Sequence, residues 1–116
     1  MSLTILRLNL VAVTAVFLTG CASVTLTPEA TSVMVHRQVS TLLADCQRLE
    51  SYQVSVNADE ENFSTVYDAE FQALANARHI ARTKYSADTI ALVSSDRYRQ
   101  GMAWIATVHV VAFKCG

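Results

Sequence analysis

The sequence predicts an α+β domain, a small antiparallel sheet with one main helix packed on it, in the order β-β-α-β-β. Two observations carry that reading. Apolar residues between Val66 and Tyr85 recur at the three-and-four spacing of an amphipathic helix. On either side of this segment lie two stretches rich in β-branched and aromatic residues, bounded by polar turn signals, as strands are.

In chain order, the first strand is expected within Ser32 to Arg37, where Val33 and Val35 alternate with Met34 and His36. The second runs from Gln47 to Val56 and places Tyr52, Val54 and Val56 on one face. Asn57-Ala58-Asp59-Glu60-Glu61-Asn62 is acidic and poor in apolar residues, and reads as a solvated loop. The helix follows from Val66 to Tyr85, with Ser64 or Thr65 as N-cap and Asp68 near the positive end of the helix dipole. Its expected buried stripe is Tyr67, Phe71, Leu74, Ala77 or Arg78, Ala81 and Tyr85, and its many alanines favour helix. Thr89 to Ser94 gives a short strand, Asp96 to Gly101 a polar turn and Met102 to Lys114 a long strand, which suggests a closing antiparallel hairpin.

The first twenty residues have a different character. Arg7 is their one charged residue, an apolar run extends from Leu8 to Phe17, and Leu18-Thr19-Gly20-Cys21 closes the segment. A positive n-region, a short h-region and a small-residue cleavage site in that order constitute an export signal. The apolar run is shorter than the roughly 20 residues a membrane span needs. Its last four residues resemble a bacterial lipobox, in which the cysteine after two small residues becomes acylated. Residues 1–20 are therefore read as a removed lipoprotein signal peptide, 21–31 as a lipidated N-terminus and short tether, and 32–116 as a periplasmic α+β domain. Ala22, standing where an aspartate would retain a lipoprotein in the inner membrane, favours the outer membrane, with the domain facing the periplasm. Fully extended at 3.3 to 3.6 Å per residue, the piece from Cys21 to Val33 reaches about 40 Å, so the domain stays near its bilayer.

Cleavage would leave 96 residues, one domain, with 8 Lys+Arg against 10 Asp+Glu. So nearly neutral a chain, with no Lys/Arg cluster, has no electrostatic footprint for nucleic acid. A domain of this size is modestly stable on its core alone, and a covalent staple would help. Cys46 and Cys115 remain after Cys21 is acylated, in a compartment where disulfides persist. They lack the Cys-x-x-Cys spacing of a redox pair, which favours one structural disulfide.

Three short motifs carry a family resemblance. Cys46-Gln47-Arg48-Leu49 opens a strand, Tyr85-Ser86-Ala87-Asp88-Thr89-Ile90 ends the helix, and Ala112-Phe113-Lys114-Cys115 closes the chain. Together they resemble the small outer-membrane lipoproteins grouped as domain of unknown function 4156, similar in build to the Rcs stress-sensor lipoprotein, over roughly Leu26 to Cys115. The paired cysteines of that pattern are retained. Glu50 replaces a glycine of the first motif, and Ser86 and Asp88 replace the glycine and asparagine of the second. Serine raises the steric cost of a left-handed helix stop, which glycine adopts freely. The family has no established activity; the stress sensor acts by contact with other envelope proteins, through a long proline-rich linker that has no counterpart here.

The chemistry-bearing residues point away from catalysis. His36, His79 and His109 have no close Cys, Asp or His partners at metal-ligand spacing, so neither a metal nor a cofactor is expected. No Gly-x-Ser-x-Gly elbow frames a nucleophile, and three glycines do not form a phosphate loop. Trp104, Tyr52, Tyr98, Arg97 and Arg99 could form a contact surface, although Trp104 at a strand start also suits the core and the turn arginines suit solvent. The expected role is that of a non-enzymatic outer-membrane lipoprotein, anchored through Cys21, which contacts or monitors another envelope component. No small-molecule substrate is identified. The alternatives are a structural envelope lipoprotein and, behind it, a periplasmic hydrolase.

Overall fold

The computed structural model describes residues 23–116. They form a four-residue helix α1 (Pro28–Thr31), a short strand β1 (Met34–His36), a 3-10 turn (Thr41–Leu43), strand β2 (Gln47–Asn57), the main helix α2 (Val66–Tyr85), and strands β3 (Thr89–Gln100) and β4 (Ala103–Lys114). The fold is α+β in the expected order, with α2 packed on a four-stranded sheet and a Cys46–Cys115 disulfide.

The sheet is mixed, where an antiparallel one was expected. Its strand order is β1-β3-β4-β2; β1 pairs parallel to β3, while β4 pairs antiparallel to both β3 and β2. The reason lies in where β1 starts. Helix α1 lies against α2, and the Met34 N–H donates to the Asp88 carbonyl, 2.9 Å away. β1 thus enters beside the start of β3 and runs the same way. The chain then reaches the opposite edge through the 3-10 turn, whose Leu43 packs on Ala91, Val111 and Phe113, on the sheet face away from α2.

The bounds of α2 are those expected, and their causes are local. Thr65 Oγ1 accepts from the Asp68 N–H at 3.2 Å, which caps the N-terminus, and Arg82 and Lys84 lie in the last turn. At the other end Ser86 takes the left-handed conformation (φ 54°, ψ 32°), so the stop is kept without glycine, and the Ala87 N–H donates to the Ala81 carbonyl.

The buried face of α2 keeps Ala77 and Ala81 of the expected stripe but not its first two aromatic residues. Ala69, Ala73, Ala77 and Ala81 face the sheet and are fully buried, whereas Tyr67 and Phe71 are 58% and 59% exposed. Alanines lie one helical turn apart on this line and let the helix settle closely on Val56, Ala106, Val108, Val110, Ala112 and Ile90. Large side chains there would hold it off. Leu74 and Tyr85 pack at the margins of this core.

Strand β3 is also longer than expected. It continues through the polar stretch to Gln100, and the hairpin closes over Gly101 and Met102. Gly101 has φ +64°, the positive value that the first position of a two-residue type II′ turn requires. Between Leu92 and Ser94 the β3–β4 register shifts by a bulge at Val93. Before it, Ile90 and Leu92 face α2; after it, Arg97 and Arg99 do, opposite Ala106 and Trp104. The bulge therefore turns the arginines toward the helix side.

Candidate functional site

Cys21 and the Gly20–Cys21 cleavage point lie outside the described residues. What is described begins two residues later, and there the tether is bound to the domain. The Thr25 N–H donates to Gln72 Oε1 at 2.8 Å, and Gln72 Nε2 donates to the Thr25 carbonyl at 3.2 Å and to Asn76 Oδ1 at 2.8 Å. Gln72 is buried on α2 between Ala69 and Ala73, so its amide reads a backbone segment much as a neighbouring strand would. Further along, Thr27 Oγ1 accepts from the Ala30 N–H, capping α1 ahead of Pro28, and lies 2.8 Å from His79 Nδ1. Arg78 Nε donates to the Val33 carbonyl at 3.1 Å. From Thr25 on, the expected short tether is a strap along α2, from Gln72 near its middle to Arg78 and His79.

Val24 and Leu26 of the strap, with Phe71, Leu74, Ala75 and Arg78 of α2, enclose an open groove of about 370 Å³. Its lining is predominantly apolar. Of the three-and-four stripe, Tyr67 and Phe71 face outward, Phe71 lining the groove beside the strap, while Leu74 sits between the groove and the core.

A second feature occupies the distal half of the closing hairpin. Arg97 pairs with Glu70 of α2 at 2.6 Å, and its guanidinium stands 4.9 Å from the Tyr67 ring centre. The Glu70 carboxylate holds the Arg97 pKa above its ordinary value, first by hydrogen bonding and then by charge attraction. Arg99 stands 5.5 Å over the Trp104 ring. Trp104 is exposed, as are Tyr67 and Tyr98, with Tyr98 on the other sheet face. Of the contact-surface residues expected together, Arg97, Arg99 and Trp104 share the helix-side face, Tyr98 lies on the opposite face, and Tyr52 is elsewhere. Its hydroxyl donates to the Ala77 carbonyl at 2.6 Å and its ring meets Tyr85, with 5.4 Å between centres. Burial first, and the neighbouring Tyr85 second, push its phenol well above the ordinary range, which keeps it a neutral donor pinning α2 to β2.

The three short motifs meet at one corner. Cys46 joins Cys115, and the Asp88 carboxylate accepts from the backbone N–H groups of Cys115 and Gly116, both at 2.9 Å, and from the Thr89 hydroxyl at 3.0 Å. Desolvation pulls the Asp88 carboxyl upward, but these hydrogen bonds outweigh it and hold the group below the usual carboxylate value. These hydrogen bonds and the disulfide tie chain ends together at this corner.

The histidines remain apart. His36 is on β1, His79 holds the strap, and His109 is on the sheet face away from α2. No group of three His, Cys, Asp or Glu suited to a metal ion occurs among the described residues. None of the described helices is long and apolar enough to cross a membrane. Sequence reasoning missed Gln72, Arg78 and His79 as the strap's partners; the available signal was a lone glutamine in the alanine-rich line of α2. In comparisons with known proteins, no family model, curated protein or solved structure matches this chain.

Proposed function

We propose that this chain is a non-enzymatic outer-membrane lipoprotein, anchored through Cys21, whose domain contacts another component of the cell envelope. The observation that carries the contact role is the exposed ridge at the distal end of the hairpin. Arg97 with Tyr67, and Arg99 with Trp104, present flat aromatic and guanidinium surfaces on the helix side of the hairpin. Tyrosine, tryptophan and arginine are the residues in which binding energy at protein interfaces concentrates. Their mutual stacking and the Glu70 pair pre-organise long side chains that would otherwise lose entropy on binding. The lipobox and h-region support the anchor, and the motifs around Cys46, Asp88 and Cys115 support the kinship with the domain of unknown function 4156 lipoproteins. Anchoring raises the effective concentration of the ridge near partners held in the same membrane.

The test is complementation of a deletion strain's envelope phenotype by three variants. Alanine at His36, His79 and His109 is expected to restore it. An unlipidated exported form and a Trp104→Ala, Arg97→Ala double variant are expected not to. Rescue by the unlipidated form together with failure of the histidine variant would identify a periplasmic enzyme.

A further inference from the structure

Helix α2 has two apolar faces, and only one of them is used by the core. The alanine line meets the sheet; Phe71 and Tyr67 point away from it and are more than half exposed. Beside them the strap contributes Val24 and Leu26, themselves exposed, so the chain segment that leads back toward the anchor forms one wall of the groove. The strap is held in place by the two-way pairing of Gln72 with Thr25, which fixes where the chain leaves the domain. Thr25 pairs with Gln72 and Thr27 with His79, so the chain read backwards travels toward the N-terminal end of α2, where Tyr67 and Phe71 lie.

We infer that this groove is a membrane seat, in which Val24, Leu26 and Phe71, above the partly buried Leu74, enter the interfacial layer of the leaflet that holds the anchor. The inference rests on the lipoprotein reading and adds an orientation to it. Cys21 is two residues from Ser23, a span of at most about 7 Å, so a lipid on Cys21 holds the mouth of the groove at the bilayer surface. An apolar helix face lies about 5–10 Å deep at the boundary of headgroups and acyl chains, and aromatic side chains favour that layer. Arg78, with its stem lining the groove and its guanidinium bonded to the Val33 carbonyl, is placed for headgroup phosphate at the rim. A second copy or a protein partner would need the same surface that the short anchor presses against lipid.

The full lipidated protein is purified from membranes, its acyl mass confirmed, and reconstituted into phosphatidylglycerol–phosphatidylcholine vesicles with or without brominated acyl chains. Trp104 is the only tryptophan, so Trp104→Phe gives a silent background for a single reporter. Phe71→Trp is the probe. Leu42→Trp is the reference, an exposed site within the 3-10 turn at the disulfide end, away from the groove. Both positions lie outside the core. Brominated chains are expected to reduce emission of the Phe71→Trp indole about two-fold or more and to leave the Leu42→Trp indole nearly unchanged. Equal quenching of the two, or none in a protein that carries the acyl mass, overturns the seat and leaves the lipoprotein reading standing. A blue-shifted Phe71→Trp indole that brominated chains do not quench assigns the groove to protein and overturns it as well. Absence of the acyl mass removes the lipoprotein reading, and the seat with it.

Discussion

Asp88 shows how one side chain serves several parts of this fold. Its backbone carbonyl receives Met34, its N–H reaches the Phe113 carbonyl, and its carboxylate gathers Thr89, Cys115 and Gly116. Start of β1, start of β3 and end of β4 are thereby fixed at the corner that the disulfide closes. Because the folded carboxyl has the lowered pKa, its contribution is fully present above the unfolded value near pH 4 and is lost as pH falls through the folded value. The group is still partly open to solvent, so screening keeps the effect modest. Asp88→Asn is expected to lower the urea midpoint at pH 7, and the gap to wild type is expected to close below about pH 4. A gap that persisted or widened in acid would show that the charge is not what matters. Ser86, two residues earlier, has the opposite character. It holds a positive φ that costs a non-glycine residue about 1–2 kcal/mol, and the disulfide's closure of a 69-residue separation, about 4 kcal/mol in the chain-entropy model, is of a size to carry such local strain.

At the scale of elements, the strap and α2 form one unit. Gln72 satisfies both backbone groups of Thr25 and has no free amide valence for solvent on its donor side. Gln72→Leu keeps helix propensity and volume but leaves Thr25 unread. The expected result is faster hydrogen exchange at the Thr25 amide, by the factor that corresponds to about 1–3 kcal/mol of local opening, with α2 amides unchanged. Unaltered Thr25 exchange would mean that the strap is held by its apolar residues alone. The elements themselves were largely legible in the sequence. The helix bounds followed from a capping threonine, a long alanine-rich period and a polar stop at Ser86. The pair Cys46 and Cys115 was legible because acylation would remove Cys21 from the pairing. The buried face of α2 was legible only at its C-terminal half, Ala77 and Ala81, because alanine gives weak hydropathy contrast and the aromatic residues beside it obey the same spacing. Strand β1, three residues long, carries no signal for direction, and a bulge such as that at Val93 inverts the faces of β3 without any glycine or proline to mark it. Gln72 escaped notice because glutamine is ordinary on an exposed helix; only its burial distinguishes it.

At the scale of the whole molecule, the parts sort toward two ends. The disulfide, Asp88 and the left-handed stop secure one corner, while the strap's exit, the groove and the Arg97–Glu70–Tyr67 cluster are grouped about the first half of α2. In the proposed account the lipid and the groove set the domain's orientation, and the arginine–aromatic ridge beside them meets a partner close to the membrane. The most direct measurement is photo-crosslinking in living cells from a reactive group substituted at the exposed Tyr67 of the ridge, performed in the lipidated protein and in an exported Cys21→Ala form brought to equal abundance. The account predicts a discrete adduct with one envelope protein in the lipidated form, lost when Trp104 and Arg97 are replaced by alanine and reduced severalfold without the lipid. An equal adduct from the unlipidated form, or none from the ridge in a protein that still supports growth of the envelope, would contradict it.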